Sequence, residues 1–181
     1  TSTDRGGLLN IETADNNSQL VLVSTDDDAS VGPRMDFIRD SASPADDDIV
    51  SQIRFRGKND ADEELSYATF KVVASDVSDG TEDAEFTLNT MVAGVSSNLL
   101  KINSTEIVLN EASKDTDFRV ESNGNTHGLF VDAGNNRVGI LNSSPATALD
   151  VTGVITTDGL TTSADLTLDA GADLLTSTAG S

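Results

Sequence analysis

The sequence predicts an all-β protein, and three observations carry that prediction. Apolar residues come in short bursts at period two, turn-forming residues are in surplus, and helix signals are few. Of the 31 acidic residues 23 are Asp and only 8 are Glu, and Ser and Thr add forty more. Asp, Ser and Thr compete with the helical backbone through short side-chain hydrogen bonds, so they favour turns and caps. Fourteen glycines and three prolines punctuate the rest.

Taken in order, the bursts start with Leu8 to Glu12. Leu20 to Ser24 is apolar on both faces, the pattern of a strand covered on both sides. Met35 and Phe37 follow, then Ile53 and Phe55, with Arg54 and Arg56 pointing the other way. Phe70, Val72 and Ala74 form one stripe, and Phe86 and Leu88 another. Leu100 and Ile102 are expected to pair with Ile107 and Leu109 across a short turn at Ser104-Thr105. Phe118 and Val120, Leu129 and Val131, and Val138 and Ile140 continue the rhythm. The one helix candidate is Asp60 to Ala74, where Leu65, Ala68 and Val72 lie at helical spacing behind an acidic start. Tyr67, Thr69, Val72 and Val73 are β-formers and Phe70-Lys71-Val72 alternates, so strand is the prediction here.

The chain has 181 residues, a mass of 18.9 kDa, a formal charge of −20 and a pI near 4.1. That balance argues against nucleic-acid binding and against attraction to anionic lipid, since both need basic patches to neutralise phosphate. Leu, Val, Ile and Phe supply 46 residues, enough for a folded chain, but with no Trp and one Tyr the core is thin in aromatics. Without cysteine there are no disulfides and no thiolate metal sites. No apolar run approaches the length of a membrane span, so no membrane insertion is expected. The chain opens on Thr1 rather than Met and reads as processed or as a fragment.

From Asn142 onward large residues become sparse and Thr, Ser, Gly, Ala and Asp fill the gaps. Two domains are expected: a β-rich domain over 1–140 and a narrow shaft segment over 141–181. Ser163 to Ser177, with Leu166, Leu168, Leu174 and Leu175, carries too little apolar surface to fold alone. At ~25 cal/mol per Å², a few leucines do not offset the ~1–2 kcal/mol per residue of backbone ordering. Burial against copies of the same chain is the remedy, which points to an oligomeric stalk. Soft internal echoes, such as Leu8-Leu9-Asn10-Ile11 with Leu99-Leu100-Lys101-Ile102, suit the strand-turn units of elongated β-structures.

Candidate sites are few. Two acidic triplets, Asp26-Asp27-Asp28 and Asp46-Asp47-Asp48, are the candidate metal positions, for a hard cation such as Ca²⁺. The ordered calcium-loop pattern is absent: after Asp60, Asp62 and Glu64, Leu65 stands where the sharp turn wants glycine. A solvated acidic loop is the plainer reading. His127 is the only histidine and cannot build a histidine-based zinc site. No Gly-x-Ser-x-Gly elbow surrounds any serine. Chance carboxylate pairs are inevitable among 31 acids, and the aromatic platform that glycosidases set beside such a pair is missing. No catalytic residue and no cofactor is expected.

One tract has a distinctive order of motifs. It runs Asp115-Thr116-Asp117-Phe118-Arg119-Val120-Glu121-Ser122-Asn123-Gly124, then Leu129-Phe130-Val131-Asp132-Ala133. Next come Asn136-Arg137-Val138-Gly139-Ile140, Ser144-Pro145, and Leu149-Asp150-Val151-Thr152-Gly153. This order resembles fibre proteins of tailed bacteriophages and related viral sequences. Upstream, Arg39-Asp40-Ser41, Ser43-Pro44, Ile53 to Asn59, Tyr67-Ala68 and Gly80 to Asp83 look like the β-domain that precedes such a tract. The usual pattern has glycine near positions 62 and 84, where this chain has Asp62 and Ala84. The resemblance implies a homotrimer on an extracellular virion: an elongated trimeric structure in which a β-domain passes into an intertwined β-shaft. It implies other virion tail proteins as partners and a role in supporting contact with a host cell-surface glycan or protein. Leu149, Val151, Ile155, Leu166 and Leu168 are the expected trimer contacts. A repeat domain of a bacterial or archaeal adhesin or extracellular filament is the rival reading, sharing the acidity and the β-turn rhythm.

Overall fold

The computed structural model describes residues 9–159 and 161. The chain divides into two compact units, Thr1–Ala112 and Ser113–Ser181. The domain boundary expected between residues 140 and 141 falls inside the second unit. Among the described residues there is no helix; the ordered elements are strands.

The first unit holds a five-stranded antiparallel meander, β1 (Asp48–Lys58), β2 (Glu64–Asp76), β3 (Asp83–Val92), β4 (Val95–Ile102) and β5 (Ile107–Leu109), hydrogen-bonded in that order. The strand reading of Asp60 to Ala74 holds, because the alternation through Phe70-Lys71-Val72 outweighs the acidic start. That start instead makes the β1–β2 turn. Asn59 Oδ1 accepts from the N–H groups of Ala61 and Glu63, and Asp62 takes a φ of 64°. A residue in the left-handed region explains why glycine suits position 62, and Asp tolerates it. Ala84 has no such role: it lies within β3, opposite Ala74. Leu100 and Ile102 pair with Leu109 and Ile107, as expected.

Three expected strands do not form. Leu9 to Glu12 (Leu8 lies outside the described residues), Leu20 to Ser24 and Met35 to Phe37 carry no ladder in this chain. Leu9, Val21, Val23 and Ile38 are 66–82% exposed. A strand needs a neighbour for its N–H and C=O groups, and among the described residues none lies beside these bursts, while the loops between them bond locally. Asn17 N–H donates to Asp15 Oδ1, Asp26 N–H to Ser24 Oγ, Asp28 N–H to Asp26 Oδ1 and Ser30 N–H to Asp28 Oδ1. Short acidic side chains that satisfy the backbone two residues on hold it in turns.

The second unit is a four-stranded sheet, β6 (Phe118–Ser122), β7 (Asn125–Asp132), β8 (Arg137–Ile140) and β9 (Leu149–Val151), in that order. The first three strands are antiparallel, whereas β9 runs parallel to β8. Parallel neighbours ordinarily need a dozen or more connecting residues. Here 141–148 suffice, because the connection lies flat on the sheet. A Cβ added at Gly139 would sit 2.3 Å from the Asn142 carbonyl oxygen, so only glycine leaves room for the crossing. Leu141 makes the reversal at a φ of 55°. Arg137 Nη1 donates to the Pro145 carbonyl oxygen at 2.8 Å, Ala146 N–H donates to Asp150 Oδ2, and Pro145 is buried.

Candidate functional site

The most distinctive surfaces are two apolar sheet faces that have no covering layer among the described residues. In the first unit, strand partners lie on the same face, so register alone assembles it. One row is Ile53, Phe70, Leu88, Leu100 and Leu109; the next is Val72, Phe86, Ile102 and Ile107. Phe55 and Phe70 meet edge-on at 5.7 Å, and Phe70 and Phe86 stack at 6.0 Å, giving an aromatic stripe across three strands. Phe55 remains 51% exposed, Leu109 48% and Ile107 70%.

The opposite face is polar. Gln52, Lys71, Thr87 and Lys101 form its central row, and Arg54, Thr69, Asn89 and Asn98 the next. Lys101 Nζ is 2.5 Å from Glu111 Oε1 and 4.0 Å from Glu106. The Glu111 hydrogen bond holds the ammonium above its usual value. Thr87 is 2% exposed, and its hydroxyl, like Oδ1 of Asn89 and of Asn98, is buried without a hydrogen-bond partner. Burial on the polar face is confined to its centre, since Gln52 and Arg54 on β1 are exposed, and Ser97, in the Phe55–Ala68–Thr90 row of the apolar side, is also 2% exposed.

The second unit also has an apolar face. Phe118, Val131, Val138 and Leu149 make one row, and Val120, Leu129, Ile140 and Val151 the other, all on one face. Phe118, Val120 and Leu149 at its margins are 36%, 46% and 60% exposed. On the other face Phe130 is 7% exposed and lies opposite Gly139, which the 141–148 crossover covers. Phe130 meets the His127 ring edge-on at 5.1 Å.

Of the expected contact residues, Leu149 and Val151 stand together on this apolar face, and Ile155 is 65% exposed beyond β9. Leu166 and Leu168 lie outside the described residues. The sequence reading did not single out the first unit's apolar face. Its signal was present: every burst from Ile53 to Leu109 has one apolar side, and among the described residues no second layer of strands covers it.

The acidic triplets are spent on local structure. Asp46 Oδ1 accepts from Val77 N–H, and Asp48 binds Arg39 Nη2 at 2.7 Å and Ala45 N–H. Asp47 turns the chain at a φ of 65°. Asp26 and Asp28 cap backbone N–H groups, and Asp27 is exposed beside them. Among the described residues no group of three or more His, Asp or Glu side chains is placed to hold a metal ion. Hydrogen bonds from neighbours lower three other carboxyls below the usual 3.8: Asp15 through the Asn17 N–H, Asp76 through the Ser78 N–H, and Asp132 through the Asn135 side chain.

An open groove of about 680 Å³ runs beside β6 and β7, lined by Asp117, Arg119, Glu121, His127 and Ser143. Its charged groups are engaged with the protein. Arg119 pairs with Glu121 at 2.6 Å, and Asp117 Oδ1 accepts from Ala133 N–H. No protein-family model matches the chain, and no curated protein is similar to it in sequence.

Proposed function

We propose that this chain is a structural segment of a phage tail fibre, self-associating as a homotrimer, that supports contact with the host surface. The observation that carries the reading is the pair of apolar sheet faces that no other element covers among the described residues. At ~25 cal/mol per Å² a partly exposed aromatic stripe is a standing cost for a lone chain, and burial against identical stripes around a symmetry axis removes it. The motif order from Phe118 to Gly153, and its resemblance to fibre proteins, favours a virion fibre over a cell-surface adhesin. Strand ladders and interchain burial give such a segment stiffness, and its negative surface opposes sticking edge to edge. Light scattering of the purified full chain tests the assembly: a species of about 57 kDa, three chains of 18.9 kDa, is expected. A monodisperse monomer overturns it. Antibodies raised against the chain are expected to decorate the tails of virions, and labelling of a cell surface alone favours the adhesin.

A further inference from the structure

Among the described residues, the first unit leaves both a long sheet edge and an apolar segment unpaired. β1 spans Asp48–Lys58, eleven residues, and pairs on one side only, with β2. The opposite edge of the sheet is shielded, because β5 has three residues and Asn110 and Ala112 continue the bonding to Leu99 and Asn98. Long edges of this kind template the addition of another strand. Upstream, 20–38 contains the both-sided apolar run Leu20 to Val23 and the alternating Met35 and Phe37, all exposed. Their charges are complementary: β1 has three basic residues against one acidic, and 20–39 has four acidic against two basic.

Arg39 shows where this segment meets the edge. Its Nη1 donates to the Ile49 carbonyl oxygen at 2.8 Å, and its Nη2 to Asp48 Oδ1. A hairpin within one chain that placed residue 39 opposite residue 49 would set Arg34 opposite Arg54 and Pro33 opposite Phe55. Like charges in directly opposed positions repel, and proline has no N–H for a ladder. A second copy is not bound to that register.

We infer that segment 20–38 of one copy adds as a strand to the outer edge of β1 in a second copy. The inference rests on the self-association proposed above and names the element that is exchanged. The absence of native cysteine provides a clean test. Full chains carrying Asp36→Cys are refolded together with full chains carrying Gln52→Cys and then oxidised, with Met35→Cys and Phe37→Cys scanning the register. A disulfide joining the two different variants is expected from at least one pairing, with loss of that bond when Leu22→Pro is added to the segment-bearing chain. No bond between chains anywhere in the scan overturns the inference, as does a double variant that closes only within one chain. Light scattering separates the two readings: an assembled oligomer without the bond overturns strand addition alone, and a monomer overturns both.

Discussion

Arg137 and Pro145 are joined by a guanidinium-to-carbonyl hydrogen bond of 2.8 Å that ties the start of β8 to the middle of the crossover leading to β9. A charge-assisted bond in a partly buried setting contributes about 1.5–3 kcal/mol. Arg137→Ala is expected to destabilise the second unit by that order, and Arg137→Lys to recover only part, since an ammonium lacks the planar reach. Urea unfolding of the full chain measures both.

Gly139→Ala should be worse tolerated than its size suggests. The added methyl meets the Asn142 carbonyl oxygen at 2.3 Å, a backbone atom that moves only with the whole crossover. Overpacking of this kind costs about 1–3 kcal/mol. Hydrogen exchange at Thr152, whose N–H donates to the Ile140 carbonyl, is expected to accelerate as the parallel pairing loosens.

Substitution on the two faces of the first sheet separates folding from assembly. Phe55 is 51% exposed in the single chain, so Phe55→Lys leaves the fold nearly intact. On an assembled face it buries an unpaired charge and is expected to lower the native mass. Lys71→Gln, on the polar face of the interior strand β2, is the control and should leave the mass unchanged.

Net charge sets the salt response. With −20 on each chain, copies in contact repel. The Debye length of ~30 Å at 0.01 M salt shrinks to ~10 Å at 0.1 M and ~3 Å at 1 M. The thermal midpoint is therefore expected to rise between about 10 and 500 mM NaCl. A fall with added salt would show that surface ion pairs such as Arg56–Glu64 dominate instead.

Acid acts locally through Asp132. Its carboxyl accepts from the Asn135 side chain and backbone, which holds its folded value below 3.8. The resulting stabilisation is complete above the unfolded value and is lost as pH falls through the folded one. Acid also discharges the −20 surface, an effect of opposite sign that Asp132→Asn shares. The midpoint difference between the wild type and Asp132→Asn is expected to be present at pH 7 and to close below about pH 3.8.

Period-two alternation made the strands from Ile53 to Ile140 legible, because each lies in a ladder whose two faces differ in polarity. The same rule over-reads Leu20 to Ser24 and Met35 to Phe37, since periodicity reports what a segment is fit for and not whether its partner is in the same chain. The parallel β9 was not legible. It depends on Gly139 passing the Asn142 carbonyl and on Arg137 reaching Pro145, contacts with no periodic signature. Leu149 and Val151, expected as trimer contacts, lie together on one apolar face, and Phe70 and Phe86, legible only as parts of two separate stripes, stack on another. Nothing in a linear pattern says that a core has only one wall.

The parallel strand also decides how the second unit would respond to force. In a four-stranded meander the chain returns to the end where it entered, and pulling on its termini peels bonds one after another. Because β9 repeats the direction of β8, the chain enters at one end of the sheet and leaves at the other, on opposite edges. Tension along the polypeptide then slides the strands past each other, and every rung between two neighbours must yield together. Units wired this way transmit a tug in series without unzipping.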